Sequence, residues 1–288
     1  MPETEVLAPR DRAGLIAALG RTTEASRLVA GATDWMLGRQ ASGRPPDLLI
    51  DLSHLEELRD VRRDGPTIRI GALSTCAQLQ RDPVLASDAA CLAQAASRVG
   101  SVQIRNVATI GGNVANASPC ADLVTSLVAL DAHASVVDAA GQVTERPIAQ
   151  LFAPAGGSAL RRDEAILEFA FERPGPERRS AFAKLGVRSS VAVARLNAAL
   201  VVRLASDGAT IRSARLAVGS LAPAAFVADE IATTLEGARI DVGCPGEFTA
   251  RCITLVDRRI PDRSSLGYKR LAIRGLVADL WDALGAQP

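Results

Sequence analysis

The chain has 288 residues, 48% of them apolar or aromatic, enough to bury one large core or two or three smaller ones. Its 33 Lys and Arg stand against 32 Asp and Glu, leaving no basic excess for a polyanion and no acidic tail. This excludes nucleic acid as the main partner, because its recognition needs a positive face. Local pairs such as Arg161–Arg162 and Arg178–Arg179 read as solvated surface. The start, MPETEVLAPRDRAGL, carries charges where a signal peptide needs an apolar run. No stretch approaches the roughly 18–20 apolar residues of a membrane span, so the expectation is a soluble, cytoplasmic protein. The 5 cysteines are scattered outside any CxxC, and with only 2 histidines no zinc or iron–sulfur ligand set is visible. They read as reduced, mostly buried thiols, and iron–sulfur chemistry, if it is involved, belongs to another chain.

In chain order, DRAGLIAALG reads as a short amphipathic helix ending at Gly20. SRLVAGATD is a strand entering a small-residue loop, and PDLLIDLSHL is a buried strand and turn. TIRIGALSTCAQLQ passes from strand to helix. The segment 83–99 reads as one helix with Leu85, Ala89, Leu92 and Ala96 on a stripe. VGSVQIRNVATI is strand-like and runs into Gly111 and Gly112. Ser118–Pro119 looks like the start of a helix carrying Leu123, Leu127 and Leu130. HASVVDAAGQVTERPI predicts two short strands around a glycine turn. FERPGPERRS, residues 171–180, is the best linker candidate. Beyond it, LNAALVVRLASDGATIRSARLAVGS predicts a hairpin turning at Asp207–Gly208. Three helical segments follow: VADEIATTLEG, EFTARCITLVDRRI, and LGYKRLAIRGLVADLWDAL with Leu271, Leu276, Leu280 and Leu284 near one face. The C-terminal part is thus a small antiparallel sheet covered by helices.

Two loops stand out, Ala30-Gly31-Ala32-Thr33-Asp34 and Thr109-Ile110-Gly111-Gly112-Asn113. Both follow predicted strands and lack bulky side chains. Neither is GxGxxG or GxxxxGK[ST], so neither the Rossmann fingerprint nor the P-loop applies. Exposed N–H groups in a glycine turn can form a nest for anions, and missing Cβ atoms allow close approach to phosphate oxygens. The residues alone leave two readings, ordinary turns or a pair of loops around a diphosphate, with Asn113, Ser118 and Asp122 following the second loop.

VGSVQIRNVATIGGNVANASPCADL resembles the second flavin loop of the FAD-binding medium subunits of molybdenum hydroxylases, such as carbon monoxide dehydrogenase and xanthine dehydrogenase. LVAGATDWM resembles the first loop of that family. FAKLGVRSSVAVARLNAAL resembles the opening of its C-terminal domain, and GYKRLAIRGLV its closing helix. The four matches come in the family's order and cover nearly the whole chain. The resemblance implies an α+β protein. Residues 1–175 would form the two-subdomain FAD-binding fold of the vanillyl-alcohol oxidase type, with subdomains of about 1–55 and 56–175. Residues 176–288 would form the small C-terminal α+β domain. Residues Leu28, Val29, Ala30, Gly31, Ala32, Thr33 and Asp34 would wrap the FAD diphosphate from one side. Thr109, Ile110, Gly111, Gly112 and Asn113 would wrap it from the other. Asp122 would accept from a sugar or ribityl hydroxyl, with Ser118 nearby. Lys184 falls on the family's flavin-contacting lysine, Ile166 or Leu167 near an apolar contact to the ring, and Val99 where some members place an aromatic.

The resemblance further implies a heteromeric complex. A large subunit would carry the molybdenum cofactor, and a small subunit [2Fe–2S] clusters that feed electrons to FAD on this chain. FAD would pass them to NAD, oxygen, a quinone or another acceptor. No catalytic acid, base, nucleophile or metal ligand is expected here. Three features depart from the family pattern. Ala32 stands where a second glycine is usual, Trp35 replaces a leucine, and aromatic residues total only 3%. In the left-handed region an Ala costs roughly 1–2 kcal/mol. A stand-alone flavoprotein oxidoreductase, a flavin-free scaffold subunit and a plain nucleotide-binding module remain as alternatives. Without the resemblance, Asp122 reads as a helix-start acid, Lys184 as a strand lysine, Arg188 as an ion-pair partner and Tyr268 as a packed residue with its hydroxyl at the rim.

Overall fold

The computed structural model describes residues 4–42, 45–188 and 191–286. The first unit comprises β1 (Glu5–Leu7), α1 (Arg12–Leu19), β2 (Arg27–Val29), α2 (Thr33–Ser42) and β3 (Leu48–Asp51). Its strands form a parallel three-stranded sheet in the order β1-β3-β2. Asp11 caps α1 by accepting the Gly14 N–H at 2.7 Å, and the helix buries Leu15, Ala18 and Leu19. The chain then leaves Gly20 with an ordinary right-handed φ of −64°.

The second unit opens with β4 (Val61–Asp64) and β5 (Thr67–Gly71). Six helices follow: α3 (Cys76–Leu79), α4 (Pro83–Asp88), α5 (Ala90–Ser97), α6 (Val102–Val107), α7 (Ile110–Ala115) and α8 (Asp122–Ala129). Strands β6 (His133–Asp138), β7 (Val143–Pro147) and β8 (Glu164–Glu172) complete a five-stranded antiparallel sheet in the order β4-β5-β8-β6-β7. Ile68, Ile70, Phe169 and Phe171 of the sheet and Leu92, Leu123 and Leu127 of the helices share one core.

The third unit holds β9 (Arg178–Leu185), β10 (Leu196–Leu204), β11 (Ile211–Gly219) and β12 (Phe226–Val227), antiparallel in the order β12-β11-β10-β9. The helices α9 (Asp229–Ala232), α10 (Gly246–Arg259) and α11 (Leu266–Gly285) follow. Strand β10 is buried on both faces, as its near-continuous apolar run requires. Ala199 and Val201 face the core of the second unit, while Ala198, Leu200 and Val202 pack with Leu255, Leu276 and Leu280 of α10 and α11. The α+β architecture with a C-terminal antiparallel sheet is therefore present. Asp207 and Gly208 form the β10–β11 turn, with Gly208 at φ +68° and the Asp207 carboxylate accepting the Ala209 and Thr210 N–H groups.

Several elements differ from the sequence reading. Residues 83–99 form two helices, because Ala89 takes an extended φ of −151° between α4 and α5; the four stripe residues are buried nonetheless. The strand-like stretch before the glycines is α6. Gly100 turns at φ +45° and the Ser101 hydroxyl accepts the Ile104 N–H, so a local cap overrides the β preference of its valines and isoleucine. Ser118 closes a turn onto the Cys120 N–H, and helix α8 starts only at Asp122. The loop after β2 is short and gives way to α2, which the sequence reading lacked. Leu271 is exposed, and Ile273 and Val277 join Leu276, Leu280 and Leu284 in the core instead. Tyr268 is half-exposed rather than packed, and Arg188 donates to the Val191 carbonyl and pairs with no acid among the described residues.

Candidate functional site

A cavity of about 800 Å³ opens between the first and second units, within the size range of small-molecule and cofactor sites. It is built where the two glycine-containing segments meet. Leu28 to Asp34 all line it, as do Thr109, Gly111, Gly112 and Asn113. Val99 and Ile166 form further wall, and Trp35 lies beside Asp34. Ile110, Ser118, Asp122, Leu167 and Lys184 do not line it. Ile110 and Leu167 are core residues, with their neighbours turned to the cavity by the helix and strand periods.

Gly31 explains how the loops meet. A Cβ there would lie 1.9 Å from the Val107 carbonyl oxygen and 3.1 Å from the Ala108 Cα, so only glycine permits this approach. The next residue, Ala32, takes φ +54°, in the left-handed region. Its carbonyl accepts the Met36 N–H and so closes the first turn of α2. The amides of Gly31, Ala32, Thr33 and Asp34 find no acceptor among the described residues. The positive end of α2 is therefore directed at the cavity with unused N–H groups.

The glycine pair of the second segment is not an open anion nest. It sits in the first turn of α7, and its amides are already used. Ile110 donates to the Ser74 carbonyl, Gly111 to the Ala72 carbonyl, Gly112 to the Thr109 hydroxyl and Asn113 to the Thr109 carbonyl, at 2.8–3.1 Å. A Cβ on Gly111 would lie 2.7 Å from the Ala72 oxygen, so this glycine serves chain packing. A Cβ on Gly112 would meet only the Thr109 hydroxyl, at 3.0 Å, leaving this backbone open to the cavity. The Asn113 Oδ1 is buried without a hydrogen-bond partner among the described residues. Because Asn113 lines the cavity, that orphaned acceptor fits a hydroxyl- or amide-bearing ligand.

In sequence, Arg161 and Arg162 read as solvated surface. Arg161, Arg162 and Glu164 all line the cavity. The Glu164 side chain is fully buried, and its Oε1 receives Arg146 Nη2 at 2.6 Å and Arg161 Nη1 at 2.7 Å. Burial pushes this carboxyl up, but the Arg146 hydrogen bonds, the Arg161 amide and both guanidinium charges hold it below the ordinary glutamate value. Arg162 is exposed and forms no ion pair among the described residues. The Arg161–Arg162 pair was visible in the sequence; its place at the cavity was not, because it depends on the course of the 152–163 connection.

Asp122 and Lys184 meet each other. Asp122 Oδ2 lies 2.5 Å from Lys184 Nζ, and Oδ1 accepts Asn197 Nδ2 at 2.8 Å. Burial pushes the Asp122 carboxyl up against the pull of Lys184 and Asn197. Lys184 Nζ also donates to the Arg98 carbonyl at 2.9 Å, next to the cavity-lining Val99. Among the described residues no group of three His, Cys, Asp or Glu could hold a metal, and no helix is long and apolar enough to cross a membrane.

Comparison with known proteins gives two family matches. Residues 2–171 match the FAD binding domain in molybdopterin dehydrogenase, and residues 181–284 match the CO dehydrogenase flavoprotein C-terminal domain. The chain is 35% identical over 184 residues to the nicotinate dehydrogenase FAD-subunit of Eubacterium barkeri, a match spanning 63% of this chain and 62% of that relative. It is 30% identical over 220 residues to the putative xanthine dehydrogenase FAD-binding subunit of Escherichia coli strain K12, covering 75% and 74% of the two chains. It is 29% identical to the carbon monoxide dehydrogenase medium chain of Hydrogenophaga pseudoflava over 78% of this chain and 77% of that one. A solved carbon monoxide dehydrogenase from the same organism superposes with a TM-score of 0.84 at 25% identity, covering 99% of this chain and 98% of that one.

Proposed function

Because the chain belongs to the family of FAD-binding domains of molybdopterin dehydrogenases, we propose that it is the FAD-carrying subunit of a multi-subunit molybdenum hydroxylase. The observation that carries this reading is the cavity itself. The segments at Leu28–Asp34 and Thr109–Asn113 converge on it, with free amides from α2 on one side and the unpaired Asn113 carboxamide on the other. Free amides at a helix start suit a diphosphate, and the carboxamide suits a sugar or ring group. Ile166 and Val99 supply apolar wall for a flat ring system, and Trp35 adds an aromatic side chain to the lining.

In this reading the residues of the chain bind, orient and screen. The α2 amides fix the phosphates, Gly112 lets the ligand approach the α7 backbone, and Asn113 sets the register along the cavity. Arg162, unpaired at the wall, adds attraction for an anionic ligand. Lys184 and Asp122 act from beside the Val99 wall. Bound FAD supplies reversible electron storage between partner clusters and an external acceptor. By likeness to its relatives, a small subunit with [2Fe–2S] clusters and a large molybdenum subunit are the partners, and the acceptor is NAD, oxygen or a quinone. A cytoplasmic location follows from the same reading.

Purification of the chain alone, a visible spectrum and identification of the released cofactor test the proposal. One FAD per chain is expected. A colourless chain that refuses FAD both alone and in complex with its partners refutes the reading and leaves a scaffold role.

A further inference from the structure

Of the 33 basic residues only two, Lys184 and Lys269, are lysines, and both are buried. Every other cation is an arginine. A position that keeps lysine in such a chain uses its compact ammonium, with three donors on one atom. Lys184 spends two of them, on Asp122 Oδ2 and on the Arg98 carbonyl. These partners lie on α8 and at the end of α5, whereas Lys184 itself lies on β9. The contact joins the C-terminal sheet to the cavity wall beside Val99.

We propose that Asn197 is a positioning residue for the cofactor cavity, acting through the Asp122–Lys184 pair. The proposal rests on the FAD reading above. Asn197, on β10, is fully buried, and both ends of its carboxamide are fixed. Nδ2 donates to Asp122 Oδ1 at 2.8 Å, and Oδ1 accepts the Thr125 hydroxyl at 3.0 Å. Gly219 on the neighbouring strand makes room for it. A Cβ there would lie 2.0 Å from Asn197 Oδ1 and 2.7 Å from the Thr125 hydroxyl. The chain of contacts thus runs from Thr125 through Asn197, Asp122 and Lys184 to the Arg98 carbonyl and the cavity wall. Without the Asn197 donor, Asp122 is held on one side only. The Lys184 ammonium then rests on a less firmly fixed carboxylate, and the Arg98–Val99 wall is held less tightly to the C-terminal sheet.

The test uses the chain and four variants, three single and one double. Asn197→Leu removes the donor, Asp122→Asn neutralises the carboxylate, and Leu200→Ala weakens packing on the opposite face of the same strand without touching the network. FAD dissociation constants come from flavin fluorescence, stability from thermal melting, and Lys184 exposure from reductive methylation read by mass spectrometry, with Lys269 as internal reference. Asn197→Leu should weaken FAD binding about tenfold and speed Lys184 methylation about tenfold, leaving the Lys269 rate unchanged. Leu200→Ala should lower the melting temperature yet change neither FAD binding nor the Lys184 rate. The double variant Asn197→Leu/Asp122→Asn should bind FAD no worse than Asp122→Asn alone, because the two residues act in series. Unchanged FAD affinity in Asn197→Leu, additive losses in the double variant, or an unchanged Lys184 rate overturns the proposal. Should the unsubstituted chain take up no FAD either alone or in complex with its partners, the functional reading fails, and with it a cofactor role for Asn197; the Lys184 rate then reports only a structural clasp.

Discussion

The substitution Ala32→Gly separates a cost borne by folding from one borne by binding. Ala32 sits at φ +54°, where an L-residue with a Cβ is disfavoured by roughly 1–2 kcal/mol. The chain itself imposes that conformation. On one side Gly31 is pressed against the Val107 carbonyl, and on the other the Met36 N–H closes onto the Ala32 oxygen. Glycine removes the steric cost but adds about 0.5–1 kcal/mol of unfolded-chain entropy. The net gain expected is about 0.5–1 kcal/mol, or roughly 2 °C in melting temperature for a chain of this size. Because contacts within the chain hold the loop, FAD affinity should change less than about threefold, an order-of-magnitude bound from the 1.4 kcal/mol that a tenfold change requires. Melting curves and FAD titrations on the same preparations read both quantities. An unchanged melting temperature with FAD binding tenfold tighter would refute the reasoning, since the strain would then be taken on only as the ligand enters.

Gly31→Ala should do the reverse. The added methyl meets backbone at 1.9 Å, so the two loops must part at an overpacking cost of about 1–3 kcal/mol, seen as a lower melting temperature and loss of the flavin spectrum. The neighbouring glycines 111 and 112 should respond differently. Gly111→Ala strains the Ala72 backbone and should destabilise the fold by about 1–3 kcal/mol. Gly112→Ala should hold stability within about 1 kcal/mol, because better helix propensity offsets the Thr109 contact, yet weaken FAD binding by filling the cavity. Arg146→Leu should cost about 1–2 kcal/mol at neutral pH. Glu164 is held below its ordinary value, so the stability it contributes is present above the glutamate range and lost as pH falls through its lowered value. The deficit of Arg146→Leu should therefore shrink in acid, and a gap that stays constant from pH 7 to pH 3 contradicts the assignment.

What the sequence made legible was periodic or ordered. The β10–β11 hairpin shows because Asp207–Gly208 is turn chemistry between apolar runs, and the cavity segments show because both follow strand-like runs and lack bulk. The reasons behind the glycines were not legible. Gly31 and Gly111 face carbonyl oxygens of Val107 and Ala72, partners 76 and 39 residues away that no local pattern announces. Likewise α6 reads as a strand, since a single Ser101 cap decides against three β-branched residues. Asp122 and Lys184 could be singled out, but their mutual contact depends on the packing of β9 against α5 and α8, and Asn197 carried no signal beyond being polar within an apolar strand.

Ala32, Ala117, Asp131, Val191 and Ser220 are non-glycine residues at positive φ. Such conformations each cost of order 1–3 kcal/mol and persist only where the surroundings over-determine them. Ala32 borders the cavity. Ala117 lies in the turn between α7 and α8, the same turn whose Pro119 carbonyl accepts the Ser220 N–H. The Ser220 hydroxyl in turn reaches the Ala194 carbonyl, and its own carbonyl accepts Lys269 Nζ at 2.6 Å. The second of the two lysines thus holds a strained residue at the end of β11, as the first holds the cavity wall from β9. Both ammonium groups grip backbone carbonyls where loops from different units converge. This geometry ties the position of the C-terminal sheet to the shape of the cavity.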